Sequence, residues 1–250
     1  MRTLSLLWLF LGTPALAEDA EQAAKPTVEE LLDATDDIQR GESSTAVMSM
    51  AVKTDRYERS MKMRALSKGE EKSLIVILEP AKDAGIATLK VDDNLWNYMP
   101  KVDRTMKVPA GMMSGSWMGS HFSNDDLVRN SRLRDDFTYE VTEEPAADGT
   151  GQWVIELVPK PDAAVVWGKV KVTIRPDKIP TSIEYFDEKG ALVRTLSFGD
   201  IQEVGERKVP MTMSVVPGDK PEEYTRITYD ELSFDVDHDD KTFSLQSLKK

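Results

Sequence analysis

"TAVMSMAVKTDRYERSMKMRALS", residues 45–67, decides how the fold is read. Ala46, Met48, Met50 and Val52 fall on every second position, and later Met61, Met63 and Ala65 alternate with Ser60, Lys62 and Arg64. Successive side chains of a strand point to opposite faces, so this spacing describes strands with one apolar and one polar face. The pattern continues through "SLIVILEP", "GIATLKV", "NLWNYMP", "RTMKVP", "FTYEVT", "QWVIELVPK" and "VVWGKVKVTIRP", then "PTSIEYFD", "ALVRTLSF", "KVPMTMSVVP" and "YTRITYDELSF". Asp92-Asp93-Asn94, Asp148-Gly149, Glu188-Lys189-Gly190 and Pro217-Gly218-Asp219 punctuate the runs as turns do. No strand–helix–strand alternation occurs, which argues against a parallel sheet. The expectation is one mainly β, antiparallel domain with few helices.

Two stretches interrupt the strands. In "PTVEELLDATDDIQRG", residues 26–41, Thr27 and Glu30 have the spacing of a capping box, and Gly41 is placed to end a helix. Val28, Leu31, Leu32, Thr35 and Ile38 share one helical face. In "SNDDLVRNSRLRDD", residues 123–136, Ser123 suits an N-cap, and Asp125 and Asp126 fall in the first turn, where the helix dipole favours negative charge.

Residues 1–17, "MRTLSLLWLFLGTPALA", join a basic Arg2, an apolar run Leu4–Leu11, the breakers Gly12 and Pro14, and small residues at Ala15 and Ala17. This is the pattern of a cleavable secretory signal peptide, and the run is far short of the ~20 residues of a membrane-spanning helix. An exported, periplasmic chain is expected, with residues 18–250 as its single domain. It has no cysteine, so neither disulfides nor a lipid-modified cysteine anchor it. A formal net charge of −12 disfavours nucleic acid and anionic membrane surfaces as partners.

Catalytic motifs are missing. Gly115-Ser116-Trp117-Met118-Gly119 has its serine one place too early for a nucleophile elbow. His121 and His238 have no partner at metal-ligand spacing, and no phosphate-binding glycine loop occurs. "DVDHDDKTFSLQ", residues 235–246, alternates acids like a calcium loop, but Asp240 and Gln246 stand where Gly and Glu belong. A solvated acidic turn is expected there. No catalytic residue, metal ligand or cofactor is assigned.

Segment 112–122, "MMSGSWMGSHF", combines Met112, Met113, Trp117, Met118 and Phe122 with Gly and Ser. Its glycines allow rearrangement and its apolar side chains need something to bury against, so it reads as a movable apolar cover. Methionine moulds to irregular apolar shapes. An acyl chain needs a long, dry, adaptable surface of that kind. The expected lipid-binding set is therefore Met48, Met50, Met61, Met63, Trp96, Tyr98, Met112, Met113, Trp117, Met118 and Phe122.

Residues 94–127 carry a family resemblance. Leu95-Trp96-x-Tyr98-x-Pro100, then Arg104, then Met118-Gly119-Ser120-x-Phe122-Ser123-x-x-Asp126 resemble the bacterial outer-membrane lipoprotein-sorting family of the LolA-like superfamily. The resemblance extends from the helix at Thr27 to "TFSLQSL", residues 242–248. It implies an incomplete, strongly curved antiparallel β-barrel with a few helices covering its apolar interior. It also implies a non-enzymatic periplasmic carrier in a Gram-negative envelope, binding a lipid or acylated lipoprotein as a monomer. The implied partners are an inner-membrane ABC or RND/MMPL transporter and an outer-membrane acceptor. The alternative is an adaptor or sensor of an RND/MMPL-type transporter complex. The chain is longer than the dedicated lipoprotein carrier, whose lipid-contacting arginine has no unique counterpart among Arg56, Arg59 and Arg64.

Overall fold

Strand β1 (Ser43–Lys53) buries every second residue along its length, as its methionine and alanine spacing dictates. It pairs with β2 (Glu58–Lys68) in a register that sets Met48 against Met63 and Met50 against Met61. The computed structural model describes residues 25–38, 41–128, 133–163 and 165–249; the signal-peptide reading of residues 1–17 lies outside them.

The sheet continues through β3 (Lys72–Glu79), β4 (Ala87–Val91), β5 (Asn94–Met99) and β6 (Arg104–Lys107). After a long connection come β7 (Phe137–Glu143), β8 (Trp153–Pro159), β9 (Lys169–Ile174) and β10 (Pro180–Phe186). Then follow β11 (Leu192–Val204), β12 (Arg207–Pro217) and β13 (Tyr224–Phe234). These thirteen strands form one antiparallel sheet in the order β6-β5-β4-β3-β2-β1-β13-β12-β11-β10-β9-β8-β7. Two meanders are thus joined through the β1–β13 ladder. The edge strands β6 and β7 are consecutive in the chain, so the connection between them spans the opening of an unclosed, strongly curved barrel. Each strand corresponds to one of the alternating runs in the sequence.

Cross-strand register lays out a largely apolar inner face from β1 across to β8. Val52, Thr225, Val215, Leu196, Ile183, Val172 and Ile155 are successive partners across seven strands. A second row runs Met61, Met50, Ile227, Met213 and Phe198. Helix α1 (Val28–Asp37) covers one half of this face. Thr27 Oγ1 accepts from the Glu30 N–H at 3.2 Å, and Leu31 and Leu32 pack fully buried against Ile155, Val172 and Ile174. The opposite half is covered by the β6–β7 connection. Leu196 packs against both clusters, so the two halves are one continuous interior.

The reverse face of β3–β5 is apolar too, and a separate piece of chain covers it. Leu66, Leu74, Leu89 and Trp96 are register partners there, and Tyr98 pairs with Ala87. Phe243 and Leu248, from the C-terminal turns, complete that cluster. No helix among the described residues is long and apolar enough to cross a membrane.

Candidate functional site

The interior over β1–β3 and β12–β13 is filled by the Trp117–Phe122 half of segment 112–122. Trp117 and Phe122, 3% and 8% exposed, belong to the same cluster as Met48, Met50, Met61 and Met63. The Trp117 indole N–H donates to Thr88 Oγ1 at 3.1 Å, so the ring's one polar atom is satisfied inside. Removing the ring would leave a hole of the kind that costs about 3–5 kcal/mol.

The segment folds back on itself. Trp117 N–H donates to Phe122 O at 2.7 Å, and Ser120 N–H to Trp117 O at 2.9 Å. The turn between them has both central residues, Met118 and Gly119, at positive φ (52° and 71°). Glycine takes this conformation freely, whereas methionine is strained in it and must be held by its surroundings. Arg59 Nη1 donates to Met118 O at 3.2 Å, and the Tyr57 hydroxyl donates to Gly119 O. Arg59 is itself braced by Asp83 at 3.2 Å.

A second hold lies at His121. Its backbone N–H donates to Thr225 Oγ1 at 2.9 Å, and its ring meets Thr225 Oγ1 through Nδ1 at 2.8 Å and Glu223 Oε2 through Nε2 at 3.1 Å. Glu223 Oε1 accepts from Lys220 Nζ at 3.0 Å and from the Asp55 N–H at 3.1 Å. Lys220 first, then His121, hold the Glu223 carboxyl down to about 2, against the opposing effect of burial. Hydroxyl, imidazole and carboxylate in line look like a nucleophilic triad. Thr225, however, is fully buried, and its Oγ1 already accepts the His121 backbone N–H. The arrangement fastens the segment to the start of β13.

The third hold is ionic. Helix α2 (Asn124–Val128) opens with a reciprocal cap, Ser123 N–H to Asp126 Oδ2 at 2.8 Å and Asp126 N–H to Ser123 Oγ at 3.1 Å. Asp126 also receives the Arg194 guanidinium bidentately, at 2.7 and 2.8 Å. Arg194 lies on the inner face of β11 as the register partner of Tyr185, and stacks on Trp167 and Tyr185 at 4.9 and 4.7 Å. Burial opposes ionisation of both groups, but their mutual hydrogen bonds and charge prevail. Asp126 is held below, and Arg194 above, its usual range. The expected helix over 123–136 is present as α2 and α3 (Leu133–Asp136), with residues 129–132 outside the described ones.

The expected lipid-binding residues divide into three groups. Met48, Met50, Met61, Met63, Trp117 and Phe122 come together in the interior, with Met118 packed partly buried against them. Met112 is exposed and Met113 half-buried at the shoulder of the segment. Trp96 and Tyr98 do not join them; strand parity turns both onto the reverse face, beneath Phe243 and Leu248. Arg194, Glu223 and Thr225 were not singled out from sequence. Only Arg194 left a trace, as a charge at an inward position two before Leu196 and four before Phe198. The acidic run at 235–246 has its own partners: Asp239 caps a short turn through Lys241 N–H, and Asp240 pairs with Lys68 and Lys72.

A family model described as "uncharacterized protein"-like matches residues 69–250. No curated protein matches the sequence. Several solved structures share the fold. A chain described as an outer membrane lipoprotein-sorting protein domain, from Vibrio parahaemolyticus, is 22% identical at a TM-score of 0.74, over 89% of this chain and 98% of its own. A LolA superfamily protein from Nitrosomonas europaea is 22% identical at 0.71, over 89% and 99%. A DUF1329 family protein from Desulfovibrio piger is 23% identical at 0.76, over 88% and 97%. The LolA-like open barrel implied by residues 94–127 is therefore the observed fold.

Proposed function

This chain belongs to the family matched over residues 69–250, and from its LolA-like fold and the interior that fold encloses we propose that it is a periplasmic carrier of lipid acyl chains. A lipid or acylated lipoprotein would occupy the interior now filled by Trp117 and Phe122. Export would use the signal peptide at residues 1–17, and the work would be non-covalent. The observation that carries this reading is the continuous inner apolar face, plugged over its methionine half by a loop. Here the filler is a loop with a strained turn, held at its rim by side-chain hydrogen bonds and one ion pair.

In the proposed cycle the latches release, segment 112–122 withdraws, and an acyl chain takes its place against Met48, Met50, Met61 and Met63. Each buried methylene contributes about 0.8 kcal/mol, so a long chain can replace the plug's own apolar contacts. Hand-over follows when an acceptor offers a better apolar surface.

The test uses delipidated protein carrying His121→Cys and Thr225→Cys, in a chain with no other cysteine. Their present hydrogen bond brings the two residues close enough for a crosslink to pin the segment. Reduced protein is expected to take up a fluorescent fatty acid or acylated peptide, and oxidised protein to lose that uptake reversibly. Failure of wild-type protein to bind either ligand sinks the carrier reading and leaves the adaptor reading, in which only protein partners bind.

A further inference from the structure

The Arg194–Asp126 pair sets a condition on what can replace the plug. Arg194 projects from the inner face near the start of β11, its side chain 13% exposed, among Tyr185, Trp167 and Leu196. Its two terminal nitrogens are committed to Asp126, and its Nε is buried with no hydrogen-bond partner among the described residues. Asp126 belongs to α2, directly behind the plug, and is capped to Ser123 one residue after Phe122. Withdrawing the plug therefore pulls on the carboxylate that neutralises this guanidinium. A buried cation stripped of its partner is strongly unfavourable, and an arginine cannot escape by losing its proton. An uncharged acyl chain entering alone would leave that cost standing.

Resting on the carrier reading, we propose that the cargo is an anionic amphiphile whose carboxylate or phosphate takes the place of the Asp126 side chain on Arg194. The planar guanidinium offers a fork that suits either group bidentately. Leu196 and Phe198, further along the same strand face, lead from Arg194 to Met213 and on to the methionine interior. A headgroup at Arg194 thus directs its chain into the space that the plug vacates. Cargo charge and plug opening are coupled: the anion displaces Asp126 as the chain displaces Trp117 and Phe122.

The experiment measures displacement of a fluorescent acyl probe from the delipidated protein by four ligands. They are palmitate, phosphatidylglycerol, the neutral diacylglycerol of matching chain length, and inorganic phosphate alone. Wild-type protein is expected to prefer both anionic lipids to diacylglycerol by at least about tenfold and to ignore free phosphate. Arg194→Gln is expected to abolish that preference while still taking up diacylglycerol. Asp126→Asn, which removes the competing carboxylate and keeps the size of the side chain, is expected to bind the anionic lipids several-fold more tightly than wild type. It also supplies an independent readout should Arg194→Gln fold poorly. Equal affinity for anionic and neutral lipids in wild type, or an anionic preference that survives Arg194→Gln, overturns the proposal while leaving the carrier reading intact. Tight binding of inorganic phosphate alone overturns it too, because the site would then recognise a free anion. No binding of any lipid overturns the carrier reading itself.

Discussion

Glu223 shows how much of the latch depends on single charges. Its carboxylate receives Lys220, the Asp55 N–H and the His121 ring, and its ionisation is favoured down to about 2. An acid whose folded value is depressed contributes stability above its unfolded value, and that contribution is lost as pH falls through the folded one. The Glu223 share of stability should be complete at neutral pH and fade between the ordinary glutamate range and about 2. Glu223→Gln should therefore melt at a lower temperature than wild type at pH 7. The two proteins should converge as pH approaches 2, which thermal melts across that range would show. A constant gap at every pH would mean that the carboxylate's charge plays no part in the latch.

At the scale of elements, the strands were legible and the latches were not. A half-buried antiparallel strand imprints its alternation directly on the sequence, as Ala46 to Val52 do in β1. The caps at Thr27 and Ser123 were legible for the same local reason. The plug's partners are instead set by tertiary folding: His121 meets Thr225 and Glu223 104 and 102 positions away, and Asp126 meets Arg194 68 positions away. Alternation could not tell which face Trp96 and Tyr98 take either, because β5 carries apolar residues on both sides, with Leu95 and Met99 opposite Trp96 and Tyr98. Whether the plug moves is decided by hydrogen exchange. In empty protein the amides of Trp117 and His121 are bonded to Phe122 O and Thr225 Oγ1 and should exchange slowly. Loading with an acyl ligand should speed exchange at both while slowing it on β1 and β2. Unchanged protection at 117 and 121 in a loaded protein would identify the segment as a fixed plug and place cargo elsewhere.

At the scale of the molecule, one open sheet has three separate covers: α1, the β6–β7 connection, and the C-terminal turns. The connection runs between the two free edges and, like the other two covers, adds no strand to the sheet, so it can leave the interior without breaking the strand ladder. That separates the stability of the frame from the occupancy of its interior, and the difference is measurable. A ligand that binds only the folded state raises stability by RT ln(1 + [L]/Kd), about 2.7 kcal/mol at a hundredfold excess over Kd. For a domain of this size about 1 kcal/mol moves the melting temperature by roughly 2–4 °C. Saturating acyl ligand should then raise Tm by about 5–10 °C, and the rise should grow with the logarithm of ligand concentration. Pinning the plug by the oxidised crosslink between positions 121 and 225 of the His121→Cys, Thr225→Cys protein should remove that dependence, because the ligand can no longer enter. The crosslink itself should raise the melting temperature of the empty protein, since it closes a long loop in the unfolded chain. The two effects therefore part cleanly: the crosslinked protein is expected to be more stable without ligand and indifferent to it, whereas the reduced protein is stabilised only when cargo is supplied. A crosslinked protein that still gained stability from ligand would place the binding surface outside the plugged interior.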